Sequence, residues 1–230
     1  MIYFNGDSNV AGSELTDPDL GMTGCLARRL DLPYTNHAFG GASNDRIYDT
    51  TMEALFDRTT QKIKLKQRPN LVVIGWTQVN RIQWFLIDQW QSGEFWEINN
   101  IGVGIPLPDE FQTRYDFWRK HIDKDGHWRL VMNNYWHNKI YNLHSILQYF
   151  SVPHLFFNAF DPFNTENLLP DQQQWHGCFM SPYDDSCTYI PWCFSKGYQE
   201  ITPGWRHFRE DAQSAWADVM YDHIQAHKIL

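Results

Sequence analysis

The chain has 230 residues, of which 43% are hydrophobic and 16% aromatic, with 11 Trp and a formal net charge of −8 at pH 7. It is too apolar and aromatic for a disordered protein and long enough to bury a substantial core as one domain. The acidic balance, relieved only by the alternating run Lys62-Ile63-Lys64-Leu65-Lys66-Gln67-Arg68, argues against nucleic acid as the main partner.

No apolar stretch reaches the length of a membrane span, and no basic-then-apolar leader precedes the first apolar run. A soluble protein without a signal peptide, cytoplasmic and with no membrane partner, is the expectation. Cys25 stands alone and Cys178, Cys187 and Cys193 are grouped, too few for a disulfide scaffold and without the paired spacing of a structural zinc site. Free thiols, or one disulfide formed after release from the cell, fit this pattern. No cofactor is expected; a metal site drawn through His176 and the grouped cysteines is the weaker alternative.

In chain order, Ile2 to Asp7 predicts a first strand, Gly21 to Leu30 a helix, Tyr34 to Ala38 a second strand, and Asn44 to about Thr60 a second helix. Leu71-Val72-Val73-Ile74-Gly75 reads as a strand buried on both faces. An aromatic stretch over about 83–128 follows, with some helix expected near 110–122. Regular character returns with a helix over about 130–150 and a strand from Pro153 to Phe157. A second irregular stretch, about 161–202, precedes a final helix from about Phe208 to Ala226, where Ala212, Ala215, Trp216, Val219 and Ile224 form an apolar stripe.

Strands alternating with helices predict one α/β domain over 1–230: a three-layer sandwich around a parallel sheet of four to five strands, in flavodoxin-like order. The two irregular stretches are read as insertions. Their length makes them candidate walls of a substrate cleft, although the tryptophans there are equally well read as a second small core.

Chemistry concentrates at Gly6-Asp7-Ser8-Asn9-Val10-Ala11-Gly12, which puts a serine in a tight turn directly after the first strand. Such a turn exposes a side-chain oxygen above the sheet with backbone N–H groups beside it. A serine needs a base, and His207 opens the final helix. Gly41, five residues after Asn36, offers a backbone donor without a side chain in the way.

These segments resemble the blocks of the SGNH, or GDSL-type, hydrolases. The first block is the GDSxxxG string; the last is His207 followed by a small residue at Ala212 and the pair Trp216-Ala217; the second is Asn36 to Gly41. The continuation Ser43-Asn44-Asp45-Arg46-Ile47 resembles phage-encoded members, which would make a virion-associated location the alternative to the cytoplasm.

The resemblance implies a serine ester hydrolase acting through an acyl-enzyme, with Ser8 as nucleophile and His207 as base. Ser8 N–H, Gly41 N–H and either Thr77 or Asn80 would form the oxyanion hole. The third family block, Gly-x-Asn, reads Gly75-Trp76-Thr77 here, and the aspartate three residues before the histidine is replaced by Gly204. Either Ser8 and His207 work as a dyad, or an acid from outside the motif completes the site, with Glu200 first and Asp184 or Asp185 as further options. The Trp- and Tyr-rich insertions favour an acylated carbohydrate or a small ester as substrate. The rival reading is a catalytically weak or inactive protein of the same fold, binding carbohydrate or serving as a structural virion component. The oligomeric state is left open.

Overall fold

The structure, a computed structural model, describes residues 1–57, 64–85, 95–98, 112–113, 116–117, 120, 127–166, 168 and 174–230. In chain order these form β1 (Ile2–Asn5), α1 (Ser8–Ala11), α2 (Met22–Leu30), β2 (Tyr34–Asn36), α3 (Asn44–Leu55), β3 (Phe56–Asp57), β4 (Lys64–Leu65), β5 (Leu71–Trp76), β6 (Ile82–Phe85), β7 (Phe95–Ile98), α4 (His127–Tyr149), β8 (His154–Asn158), α5 (Tyr189–Ser195) and α6 (Glu210–His227). Most of the aromatic stretch over 83–128 lies outside the described residues; of the helix expected near 110–122, only residues 112–113, 116–117 and 120 are described, and they are helical.

The main sheet has four strands in the order β2-β1-β5-β8, all parallel, so the expected order is present. β3 with β4 and β6 with β7 form two small antiparallel pairs. Alternation along each strand deals side chains to two cores. Ile2, Phe4, Leu71, Val73, Leu155 and Phe157 meet α2 and α6 through Leu26, Trp216 and Met220. Tyr3, Val72, Ile74, Trp76 and Phe156 meet α3 and α4 through Ile47, Trp136, Ile140 and Leu143. Both faces are therefore dry, which is why β5 reads as an unbroken apolar run.

The outer edge of β8 is covered by a single parallel bridge, Phe156 to Phe179, with Phe156 N–H donating to the Cys178 carbonyl at 2.8 Å and Met180 N–H to the Phe156 carbonyl at 2.9 Å. This strap occupies the place of a fifth strand and shields unpaired backbone groups.

Two helices and two strand pairs were not anticipated from the pattern. α1 is only four residues long, too short to be stable alone. It exists because Asp7 caps its N-terminus and Gly12, at φ 70°, turns the chain out in the left-handed conformation. α5 tolerates Pro191 because the residue falls in its first turn, where no backbone N–H is needed. The β3–β4 pair follows a helix that stops early: α3 ends at Leu55, with Phe56 already extended at φ −125°. Among the described residues no helix is long and apolar enough to cross a membrane.

Candidate active site

The turn after β1 is held by close packing and by one buried carboxylate. A Cβ on Gly6 would lie 2.5 Å from a Val10 methyl and 2.9 Å from the Gly75 carbonyl oxygen, and one on Gly75 would lie 2.6 Å from that same methyl. The ends of β1 and β5 thus close on Val10, and both positions require glycine. Asp7 is fully buried. Its Oδ1 accepts from Asn9 N–H at 3.0 Å, and its Oδ2 accepts from the Thr77 hydroxyl at 3.0 Å and faces Arg81 Nη1 at 3.5 Å. A buried charge needs such partners, so this aspartate is structural.

Ser8 is therefore fixed as the first residue of α1, 7% exposed, beyond the carboxyl ends of β1 and β5. Strand order reverses between those two strands, the place where open α/β sheets form their crevice. The Ser8 N–H has no acceptor inside the helix, because the cap bond goes to Asn9 instead.

A second loop is tied onto this turn. Asn36 Nδ2 donates to the Val10 carbonyl at 3.0 Å, and Phe39 N–H donates to the Gly6 carbonyl at 3.1 Å. Gly41 follows at φ 78°, a left-handed conformation that suits glycine. Its N–H has no acceptor among the described residues. Asn44 then clamps the end of β5, its Nδ2 donating to the Thr77 carbonyl at 3.1 Å and its Oδ1 accepting from Thr77 N–H at 2.9 Å.

Thr77, expected as an oxyanion donor, spends its single hydroxyl hydrogen on Asp7. That leaves Asn80, half-buried in the turn after β5, as the side-chain candidate at this position.

The third piece is the loop 200–208, closed at its base by a bridge between Glu200 and Phe208 and by Ile201 N–H donating to the His207 carbonyl at 2.7 Å. Glu200 does not reach the imidazole. Its carboxylate fills the loop instead, accepting from Gly204 N–H at 2.9 Å and Arg206 N–H at 2.6 Å. Gly204 and Arg206 are both left-handed, at φ 86° and 60°. Asp184 is also engaged elsewhere, accepting from the N–H and hydroxyl of Ser186.

The acid against His207 is Glu14, whose Oε2 lies 2.6 Å from Nδ1, with side chains 21% and 15% exposed. The Thr202 hydroxyl donates to the other Glu14 oxygen at 2.6 Å. Glu14 sits at φ 68°, an uncommon conformation for a residue with a side chain. It belongs to the same turn as Ser8: Ser13 N–H donates to the Ser8 carbonyl at 2.9 Å. A carboxylate on Nδ1 favours the tautomer whose Nε2 carries the lone pair, the form a general base needs.

Among the described residues no hydrogen bond joins Ser8 Oγ to His207; what holds their loops together is Glu14. Glu14 is the first acid after Ser8, but nothing in the sequence near it points to His207, 193 positions away.

Among the described residues Cys178, Cys187 and Cys193 do not converge on one another. All four cysteines are unpaired, and Cys193 is buried against Tyr189, where burial pushes its thiol up to about 12. Among the described residues, the group whose donor atoms converge is instead His144, His154 and Cys178. A cleft of 610 Å³ lies past the carboxyl ends of β5 and β8, lined in part by Val79, Arg129, Asn133, Asp161 and Asn164; Ser8 and His207 do not line it.

Several solved structures are similar to this chain. A carbohydrate esterase whose active site is described as having divergent catalytic and non-catalytic binding functions matches at 13% identity and TM-score 0.47, over 98% of this chain and 64% of that one. TesA matches at 13% identity and TM-score 0.48 over 98% of each chain. The psychrotrophic esterase EstA from Pseudoalteromonas sp., inhibited by monoethylphosphonate, matches at 13% identity and TM-score 0.48, over 98% of this chain and 96% of that one. A search of curated protein sequences gave no match. The model of a family of unknown function, DUF6071, matches residues 16–181, most of the chain, and the protein belongs to that family.

Proposed function

We propose that the protein is a serine ester hydrolase whose triad is Ser8, His207 and Glu14. The observation that carries this reading is the 2.6 Å contact between Glu14 and His207 Nδ1, made by an acid from the nucleophile's own turn. Ser8 Oγ attacks the ester carbonyl carbon while His207 Nε2 takes its proton. The Ser8 and Gly41 N–H groups receive the oxyanion, with Asn80 as the side-chain donor. The alcohol leaves with the proton from His207, and water then hydrolyses the acyl-serine by the reverse proton path.

For the substrate we favour an acylated carbohydrate over a small ester. Trp205 stands on the loop that carries His207 and is 58% exposed, a flat surface of the kind a sugar ring stacks on; Phe39, on the loop that carries Gly41, is 50% exposed with the Arg46 guanidinium over one face at 3.8 Å.

A stoichiometric fluorophosphonate adduct on Ser8, lost in Ser8→Ala together with turnover of aryl acetates and acetylated xylo-oligosaccharides, is the expected result. An unlabelled but folded protein that still binds the deacetylated sugar would favour the rival reading, a non-catalytic carbohydrate-binding module. The diversion of the Thr77 hydroxyl to Asp7 is the feature that favours the rival.

A further inference from the structure

We propose that His144, His154 and Cys178 form a structural zinc site that fastens the strap over the edge of β8. One ring nitrogen from each histidine and the Cys178 sulfur lie within 4.8 Å of one another, and the three residues come from three different segments: α4, the start of β8 and the strap.

The hydrogen bonding prepares the ligands. His154 Nδ1 lies 2.8 Å from the Val152 carbonyl, which requires the proton on Nδ1 and makes Nε2 the acceptor nitrogen. A backbone carbonyl on the far nitrogen is the usual support for a metal-binding histidine. That Nε2 lone pair faces His144 Nδ1 at 2.7 Å, a hydrogen bond that an ion would replace. With His144 donating its Nδ1 proton there, its other nitrogen, Nε2, is buried with no partner at all.

His144 and His154 are 1% and 2% exposed and walled by Trp175 and Phe156. An apolar chamber that keeps two imidazoles and a thiol together, with the His144 Nε2 unsatisfied, is costly unless something uses that nitrogen.

Two imidazoles and a thiolate suit zinc, whose ligand atoms sit about 2.0–2.3 Å from the ion. The histidines need only part slightly to admit it. Binding displaces one proton, from the Cys178 thiol to solvent, as the Zn–S bond forms. The fourth position goes to water or to His176, whose ring stacks on His144 at 6.2 Å between centroids. His176 also lines an open cleft of 490 Å³ with Gly177, His223 and His227, which gives an entry path.

The site lies at the first residue of β8, at the opposite end of the sheet from Ser8. Its role is therefore to hold structure. Zinc there would pin the strap that leads through Phe179 and Met180 toward α5.

The test uses the full chain, tag-free, reduced and stripped with chelator. One equivalent of Zn²⁺ should bind by calorimetry with release of a proton and raise the melting temperature. Co²⁺ in its place should give a thiolate charge-transfer band. Cys178→Ser should abolish that band and weaken Zn²⁺ binding by about 100-fold or more, and His154→Gln should weaken it comparably, while His223→Gln leaves both unchanged. Absence of binding to a folded wild-type chain, or binding that survives Cys178→Ser and is lost in His223→Gln, overturns the proposal. If His154→Gln does not fold, the cobalt band of wild type against Cys178→Ser decides alone.

Discussion

The carboxylate of Glu14 and the imidazole of His207 are 193 positions apart in sequence and 2.6 Å apart in space. The contact is made on Nδ1, the nitrogen that must be held if the other is to act as a base. Glu14→Gln is therefore expected to lower kcat by about 10²–10⁴-fold with little change in KM, because a neutral amide supports the wrong tautomer as readily as the right one. Steady-state kinetics on a soluble aryl ester check this; unchanged kcat would remove Glu14 from the mechanism.

Glu200→Gln should behave differently. Its two backbone bonds to Gly204 and Arg206 weaken, so the melting temperature falls and the loop loosens, but no histidine tautomer is disturbed. Comparing thermal melts and kcat of the two Gln variants separates a positioning acid from a loop brace.

Gly204→Asp, which would restore the acid at its usual distance before the histidine, is expected to add no activity. Position 204 is at φ 86°, strained for any side chain by about 1–2 kcal/mol, and the Nδ1 face of His207 is already taken. A rise in turnover would show that Glu14 fills the place without doing the work.

Thr77→Val should destabilise the protein by about 1–3 kcal/mol, since it leaves the buried Asp7 carboxylate short of a donor, while Thr77→Ser should be close to neutral. Urea unfolding midpoints distinguish them. Equal stability of the two variants would mean that the hydroxyl contributes nothing to the nucleophile turn.

His137 gives a pH dependence with a definite sign. It is fully buried against Phe163, Trp175 and Tyr183, and burial lowers its pKa from 6.5 to about 4. Between those values the unfolded chain binds a proton that the folded chain refuses, so stability falls as pH drops from about 6.5 toward 4. Urea midpoints across this window should decline in the wild type and less steeply in His137→Phe.

Much of the fold was legible because its strands carry strong signals. Leu71 to Ile74 are apolar on both faces, and the stripe of Ala212, Trp216 and Ile224 repeats at helical spacing. α1 escaped notice because its stability comes from Asp7 and Gly12 rather than from its own four residues. The proposed roles of Ser8, Gly41 and His207 rest on motif spacing. That of Glu14 does not, since nothing local to an acid in a left-handed turn reports which side chain will arrive from the far end of the chain. Thr77 and Glu200 misled for a related reason: each had the right chemistry at a plausible position, and each is consumed by a bond to a neighbour, Asp7 in one case and the backbone of residues 204 and 206 in the other.

The pairing of Asp7 with Arg81 and Thr77 has an electrostatic corollary. A carboxylate locked one residue ahead of the proposed nucleophile would, left alone, project a negative potential through low-dielectric protein onto the place where the proposed reaction builds an anion. The guanidinium at 3.5 Å and the hydroxyl at 3.0 Å draw that potential downward into the sheet. On the proposed mechanism Arg81 would tune the barrier at Ser8 without approaching the substrate, and an uncharged replacement such as Arg81→Met would penalise the transition state more than the ground state.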